Sequence, residues 1–149
     1  MAGIDVAGFN HTGISVSDLQ RSVAFFTEVL GFELVSIAPR DPEVVGAISG
    51  LGYARVEIAY LKGHGHTLEL LAFAEPEGRA QYRTSDAGAM HIALDILDMA
   101  AAVAACEPWG WQLMGEVVAI DNGPNKGRKI AYLYWESENI ILEFIQRPG

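Results

Sequence analysis

The stretch Gly88-Ala89-Met90-His91-Ile92-Ala93-Leu94-Asp95-Ile96-Leu97-Asp98-Met99 decides the fold, because the chain writes it twice. Asn10-His11-Thr12-Gly13-Ile14-Ser15-Val16-Ser17-Asp18-Leu19 has the same grammar. In each copy a His opens an alternating apolar run, and an Asp stands seven positions later, ahead of a helical pattern. The offset is 80 residues at the His (91 − 11) and at the Asp (98 − 18). A repeat at fixed spacing constrains the architecture before any single side chain does.

Outward from the first copy, Phe9 to Val16 reads as a strand, with Thr12, Ile14 and Val16 on one face and His11, Gly13 and Ser15 on the other. Asp18 suits a helix N-cap, and Leu19, Val23, Phe26 and Leu30 recur at helical spacing until Gly31, which suits the left-handed residue past a helix end. A strand over Phe32–Ile37 follows. Pro39, Pro42, Gly46, Gly50 and Gly52 then make Ala38–Gly52 a loop, with a short turn of helix over Val44–Ile48. Its length makes it either a candidate substrate cover or an exposed insertion. Tyr53–Leu61 and Thr67–Phe73 read as strands joined by the hairpin connection Lys62-Gly63-His64-Gly65-His66. Glu75–Ala87 reads as a linker.

The second half repeats the pattern. Asp98 caps a helix whose Met99, Val103 and Cys106 follow Leu19, Val23 and Phe26 by 80 positions, and Pro108 and Gly110 end it. Strands are expected over Trp111–Val118, Arg128–Trp135 and Ile140–Gln146, with a loop at Asp121–Gly127. Leu68-Glu69-Leu70-Leu71 matches Leu142-Glu143-Phe144-Ile145 at an offset of 74 (143 − 69), so the first half holds six extra residues, assigned to the loop before Tyr53. Each half reads βαβββ. The expected class is α+β: one domain over 1–149, with module one at about 4–74, a linker at 75–87 and module two at about 88–146.

Composition bounds the function. Half of the 149 residues are hydrophobic and 19% are charged, which suits a folded globule. The net charge of −9 argues against nucleic-acid partners and anionic membrane surfaces. Met1-Ala2-Gly3-Ile4-Asp5-Val6 lacks the charged and apolar regions of a signal peptide, and no apolar run reaches bilayer length. A single cysteine excludes an intrachain disulfide framework, so a cytoplasmic location is expected.

Four residues stand at equivalent places in the halves: His11, Glu69, His91 and Glu143. A lone His in a strand is more often a satisfied structural residue, and a lone Glu more often faces solvent. Here chance would have to place both at the same module positions twice. A carboxylate in an otherwise apolar strand costs several kcal/mol to desolvate by order of magnitude, so it requires a partner, solvent or a metal. Two imidazoles and two carboxylates suit one divalent ion of the Zn, Ni, Co, Mn or Fe class. Lys126, Arg128 and Lys129 are candidates for holding an anionic substrate tail, with a solvated loop as the alternative. His64 and His66 read as solvated turn residues, Cys106 as core, Asp18 and Asp98 as caps. Tyr53, Tyr60, Tyr132, Tyr134 and Trp135 read mostly as sheet packing.

The chain resembles the vicinal oxygen chelate superfamily (glyoxalase I, methylmalonyl-CoA epimerase, extradiol dioxygenases and antibiotic-resistance proteins). The resemblance runs from about Phe9 to Gln146. It rests on His11-Thr12-Gly13-Ile14-Ser15-Val16-Ser17-Asp18-Leu19, Phe26-Thr27-Glu28-Val29-Leu30-Gly31-Phe32, Leu68-Glu69-Leu70-Leu71, Met90-His91-Ile92-Ala93 and Ile141-Leu142-Glu143-Phe144. It implies a cupped, eight-stranded mixed sheet with helices outside, and metal ligands at His11, Glu69, His91 and Glu143. It further implies a small substrate whose neighbouring oxygens chelate the metal, a metal-bound enolate or enediolate, and Glu69 or Glu143 as the base, with a lean to Glu143. The expected activity is a glyoxalase I-like lyase or isomerase, with an epimerase of the methylmalonyl-CoA type as the alternative. A ring-cleaving dioxygenase and a non-catalytic drug- or metabolite-binding protein are further alternatives. A homodimer is expected, and the two modules of one site come from one chain or from two.

Overall fold

The computed structural model describes residues 4, 7–78 and 84–148. Residues 5 and 6 of module one and residues 79–83 of the expected linker lie outside the described residues. The chain divides into two compact units, Met1–Gly78 and Arg79–Gly149.

Unit 1 begins with β1 (Thr12–Ser15) and α1 (Leu19–Glu28). The Asp18 side chain accepts from the Arg21 amide at 3.0 Å, so it caps the helix as its position implies. Leu19, Ser22, Val23 and Phe26 form one buried stripe, which lays α1 against the sheet. That sheet is completed by β2 (Glu33–Pro39), β3 (Arg55–Gly63) and β4 (His66–Glu75), in the order β1-β4-β3-β2, with β1 parallel to β4 and the other pairs antiparallel. Ala59, Leu61, Leu68 and Leu70 are buried on the α1 face. Tyr60 and Glu69, paired across β3 and β4, point to the opposite face.

Two expectations shift here. The Pro/Gly segment after β2 is not a plain loop with one turn of helix but contains α2 (Pro42–Ser49). Asp41 caps it through the Glu43 and Val44 amides, Pro42 takes the first turn, where its missing N–H costs nothing, and Gly50 ends it in a left-handed conformation (φ 74°). The hairpin is tighter than expected: only His64 and Gly65 lie between the strands, both at positive φ (53° and 76°), a turn whose twist matches the strands. Neither histidine is a loose turn residue. The His64 ring meets the Leu30 carbonyl at 2.6 Å, beyond the end of α1, and His66 Nε2 meets Thr12 Oγ1 at 2.8 Å.

Unit 2 repeats the order with β5 (Ile92–Ile96), α3 (Met99–Cys106) and a 3₁₀ turn over Glu107–Trp109, then β6 (Trp111–Leu113), β7 (Val118–Ala119), β8 (Lys129–Trp135) and β9 (Ile140–Gln146). Its sheet runs β5-β9-β8-β6, with β7 also paired to β8. The single strand expected over Trp111–Val118 is broken: Met114 to Val117 lie outside the strands, between β6 and β7. The described strands are therefore four in one sheet and five in the other, rather than eight. The core here is aromatic: Trp111 and Trp135 stack with centroids 5.1 Å apart, and Leu133, Leu142 and Phe144 are buried in the same unit. Cys106 is buried, as its equivalence to Phe26 implies, and burial pushes its thiol up to about 11. Among the described residues, no helix is long and apolar enough to cross a membrane.

Candidate metal centre

In unit 1 the strand that follows His11 sets Gly13 beside Glu69 in the parallel β1–β4 pairing, so His11, one alternate position earlier, shares the Glu69 face. His11 Nε2 lies 3.1 Å from Glu69 Oε2. The other ring nitrogen, Nδ1, is 2.6 Å from Asn10 Oδ1. An imidazole between two acceptors needs a proton on the Asn10 side and a proton or cation on the Glu69 side. A Cβ at Gly13, the residue paired with Glu69, would stand 3.3 Å from Glu69 Oε2, close enough that the carboxylate would have to give slightly.

Unit 2 reproduces the pair. Ala93 sits beside Glu143 in the β5–β9 pairing, and His91 Nε2 lies 3.1 Å from Glu143 Oε2. Both carboxylates are largely covered, their side chains 13% and 14% exposed, while the imidazoles reach further out at 31% and 45%. The four expected ligands thus come together as two pairs. Among the described residues, no group of three or more His, Cys, Asp or Glu gathers into a metal cage.

Each pair carries a tyrosine that sequence reasoning left as packing. Tyr60 faces Glu69 across β3–β4, and Tyr132 faces Glu143 across β8–β9. The Tyr60 hydroxyl donates to Glu69 Oε1 at 2.5 Å, and its ring meets His11 edge-on at 5.8 Å. Tyr132 meets His91 edge-on at 5.3 Å. The hydrogen bond to Glu69 holds the Tyr60 hydroxyl above its usual range, aided by burial and the Glu69 charge, against an opposing effect of Arg40. Tyr132 is raised chiefly by burial, with the charge and hydrogen bond of Glu143 contributing less. The tyrosines escaped notice because their offset is 72 (132 − 60), neither 80 nor 74. The structure accounts for the drift: α2 lengthens unit 1 before β3, and the turn after β8 runs through four residues where the first hairpin has two.

The tail-binding candidates all lie around the loop that enters β8. Lys126 and Arg128 belong to that loop, held by backbone bonds from Lys126 to Gly123 and from Arg128 to Asn125. Lys129 opens β8 on the face shared with Ala131 and Leu133, opposite Tyr132 by strand alternation.

A divalent ion fits the donor chemistry of either pair. Nitrogen and oxygen donors about 2.0–2.2 Å from a cation, at tetrahedral or octahedral angles, stand about 2.9–3.5 Å apart. The separation of 3.1 Å falls within that range in both units.

Comparison with known proteins identifies the family. Residues 8–131 match the family model of the Glyoxalase/Bleomycin resistance protein/Dioxygenase superfamily. A 2-epi-5-epi-valiolone epimerase from Actinomyces sp. is 33% identical over 147 residues, covering 94% of this chain and 79% of the relative. A glyoxalase family protein from Bacillus cereus shares the fold with a TM-score of 0.81 at 27% identity, over 100% of this chain and 99% of that one. The fosfomycin resistance protein FosX from Listeria monocytogenes, solved with Mn(II) and sulfate, shares the fold with a TM-score of 0.63 at 16% identity, over 97% and 94%. The duplicated βαβββ units, the family model and the epimerase relative together assign the chain to the Glyoxalase/Bleomycin resistance protein/Dioxygenase superfamily.

Proposed function

We propose that this chain is a divalent-metal-dependent isomerase of the epimerase type, which removes and returns a proton on a carbon next to a carbonyl. The observation that carries the reading is the recurrence, at one module position in both units, of an imidazole Nε2 3.1 Å from a carboxylate oxygen. His11 with Glu69 and His91 with Glu143 would hold the ion, which would supply Lewis-acid stabilisation of charge developing on substrate oxygen. Mn, Fe, Co, Ni and Zn all suit such a set.

The chain's own groups supply the rest. A carboxylate at Glu143 or Glu69 takes the substrate proton and becomes a carboxylic acid, while the electron pair of the broken C–H bond stays on the substrate. Delivery of a solvent-exchangeable proton to the opposite face of the carbanion inverts the centre. The imidazoles stay fixed, and at His11 the Asn10 contact orients the ring. The epimerase relative favours inversion over the glyoxalase I-like lyase reaction, which takes second place. A homodimer is the proposed assembly.

The test is proton exchange. With 2-epi-5-epi-valiolone in D₂O, NMR is expected to show deuterium entering at the carbon next to the carbonyl as the epimer accumulates, with loss on chelation and recovery on adding metal. Methylmalonyl-CoA and a glutathione hemithioacetal, run alongside, separate the CoA-epimerase and lyase alternatives. Binding of these compounds without exchange or turnover of any would overturn the enzyme reading in favour of a sequestering protein.

A further inference from the structure

We propose that Tyr60, backed by Arg40, is a positioning residue that fixes Glu69 as an immobile donor and leaves Glu143 as the carboxylate free to move a proton. The inference rests on the metal-centre reading above and goes beyond it by breaking the equivalence of the two halves.

Two differences carry it. The Tyr60 hydroxyl is only 2.5 Å from Glu69 Oε1, while the other oxygen, Oε2, faces His11, so both oxygens of this carboxylate are engaged. Glu143 shows its 3.1 Å contact to His91 through Oε2, and the Tyr132 ring meets His91 edge-on at 5.3 Å. Second, Arg40 backs Tyr60. Its Cζ lies 5.9 Å from the Tyr60 ring centroid, Nη1 donates to the Ala38 and Pro39 carbonyls at 3.3 and 3.5 Å, and its amide donates to the Val56 carbonyl at 3.1 Å. A guanidinium tied to its own strand holds the ring without losing its own freedom on contact. The segment carrying Arg40, between β2 and α2, has no counterpart in unit 2, where β7 and the loop before β8 stand instead.

A carboxylate gripped at both oxygens is a good fixed ligand and a poor base, because accepting a proton breaks one of its contacts. Glu143 pays less for that change. The Arg40–Tyr60 contact divides the roles of the two acids.

Full-length wild type, Tyr60→Phe, Tyr132→Phe and Arg40→Gln are compared by two readouts. In metal-free protein, ¹³C relaxation of the glutamate side chains is expected to show Glu69 more ordered than Glu143. Tyr60→Phe and, less strongly, Arg40→Gln should erase the difference, and Tyr132→Phe should not. In a titration with Co(II), followed by its visible spectrum, Tyr60→Phe is expected to weaken binding about tenfold or more, and Tyr132→Phe less than about threefold. Equal order at Glu69 and Glu143 in wild type, or equal losses from the two Tyr→Phe changes, would overturn the proposal. Wild type that fails to bind Co(II) would overturn the metal-centre reading alone, and the relaxation comparison would still decide the role of Tyr60.

Discussion

Gly46→Ala is the substitution whose consequence the structure specifies most fully. A Cβ at Gly46 would lie 2.3 Å from the Gly52 carbonyl oxygen, 2.5 Å from its carbon and 2.5 Å from Tyr53 Cα. All three are backbone atoms, so no side chain can swing aside, and relief requires residues 52–53 to move about 1 Å away from α2. That movement stretches the Gly52 N to Gly46 O bond of 3.0 Å and strains the Ala54 N to Pro42 O bond beside it. Losing one hydrogen bond costs about 1 kcal/mol and overpacking about 1–3 kcal/mol, against a helix-propensity gain of up to about 1 kcal/mol for Ala. The expected net destabilisation is about 1–3 kcal/mol, read by urea denaturation, with hydrogen exchange speeding at Gly52 and Ala54. Gly50→Ala is a separate control, strained by its left-handed φ of 74° but free of steric contact. Wild-type stability and unchanged exchange in Gly46→Ala would refute the close approach of α2 to the chain that enters β3.

Other outcomes follow from the same physics. Glu143→Gln is expected to cut proton exchange on substrate by about 10²–10⁴-fold while retaining the metal better than Glu69→Gln does; full turnover by Glu143→Gln would remove it as base. Phe26→Ala, at a position with no exposure between α1 and the unit 1 sheet, should cost about 3–5 kcal/mol by denaturation, and a loss under about 1 kcal/mol would contradict that packing. Cys106 should resist thiol reagents in the native state at neutral pH and react promptly in urea. Its thiol keeps its proton up to about 11 when folded, whereas the unfolded chain releases it near 9.0. The folded state therefore binds more protons in that window, and the Cys106 contribution to stability falls as pH rises from about 9 to about 11. A Cys106→Ala variant should lack that part of the alkaline decline.

The sequence carried the duplicated order and the two His–Glu pairs because they sit where the repeat keeps its spacing. His11 and His91 open equivalent strands, and alternation alone puts each carboxylate on the opposite face from its apolar neighbours. Legibility ended where the halves diverge in length. Pro42, Gly46 and Gly50 suggested a loop, yet Asp41-Pro42-Glu43 is a sound helix start and Gly50 a sound stop; propensity counted as breaking was punctuation at helix ends. The apolar run from Trp111 concealed a break at Gly115, because hydrophobicity says nothing about which residues lose their ladder partner. Tyr60 and Tyr132 were hidden by unequal turns. Their equivalence appears only in cross-strand register, where each faces its own glutamate. Arg40 had no signal at all, since its role depends on a fold-back that a single sequence does not display.

Equilibrium dialysis of metal-free protein against Mn(II), Fe(II), Co(II), Ni(II) and Zn(II), followed by elemental analysis, tests the central claim most directly. The account predicts tight uptake of one of these ions by wild type, weakened in each of His11→Ala, Glu69→Ala, His91→Ala and Glu143→Ala. Wild type that retains none of these ions, or His91→Ala binding as wild type does, would contradict it.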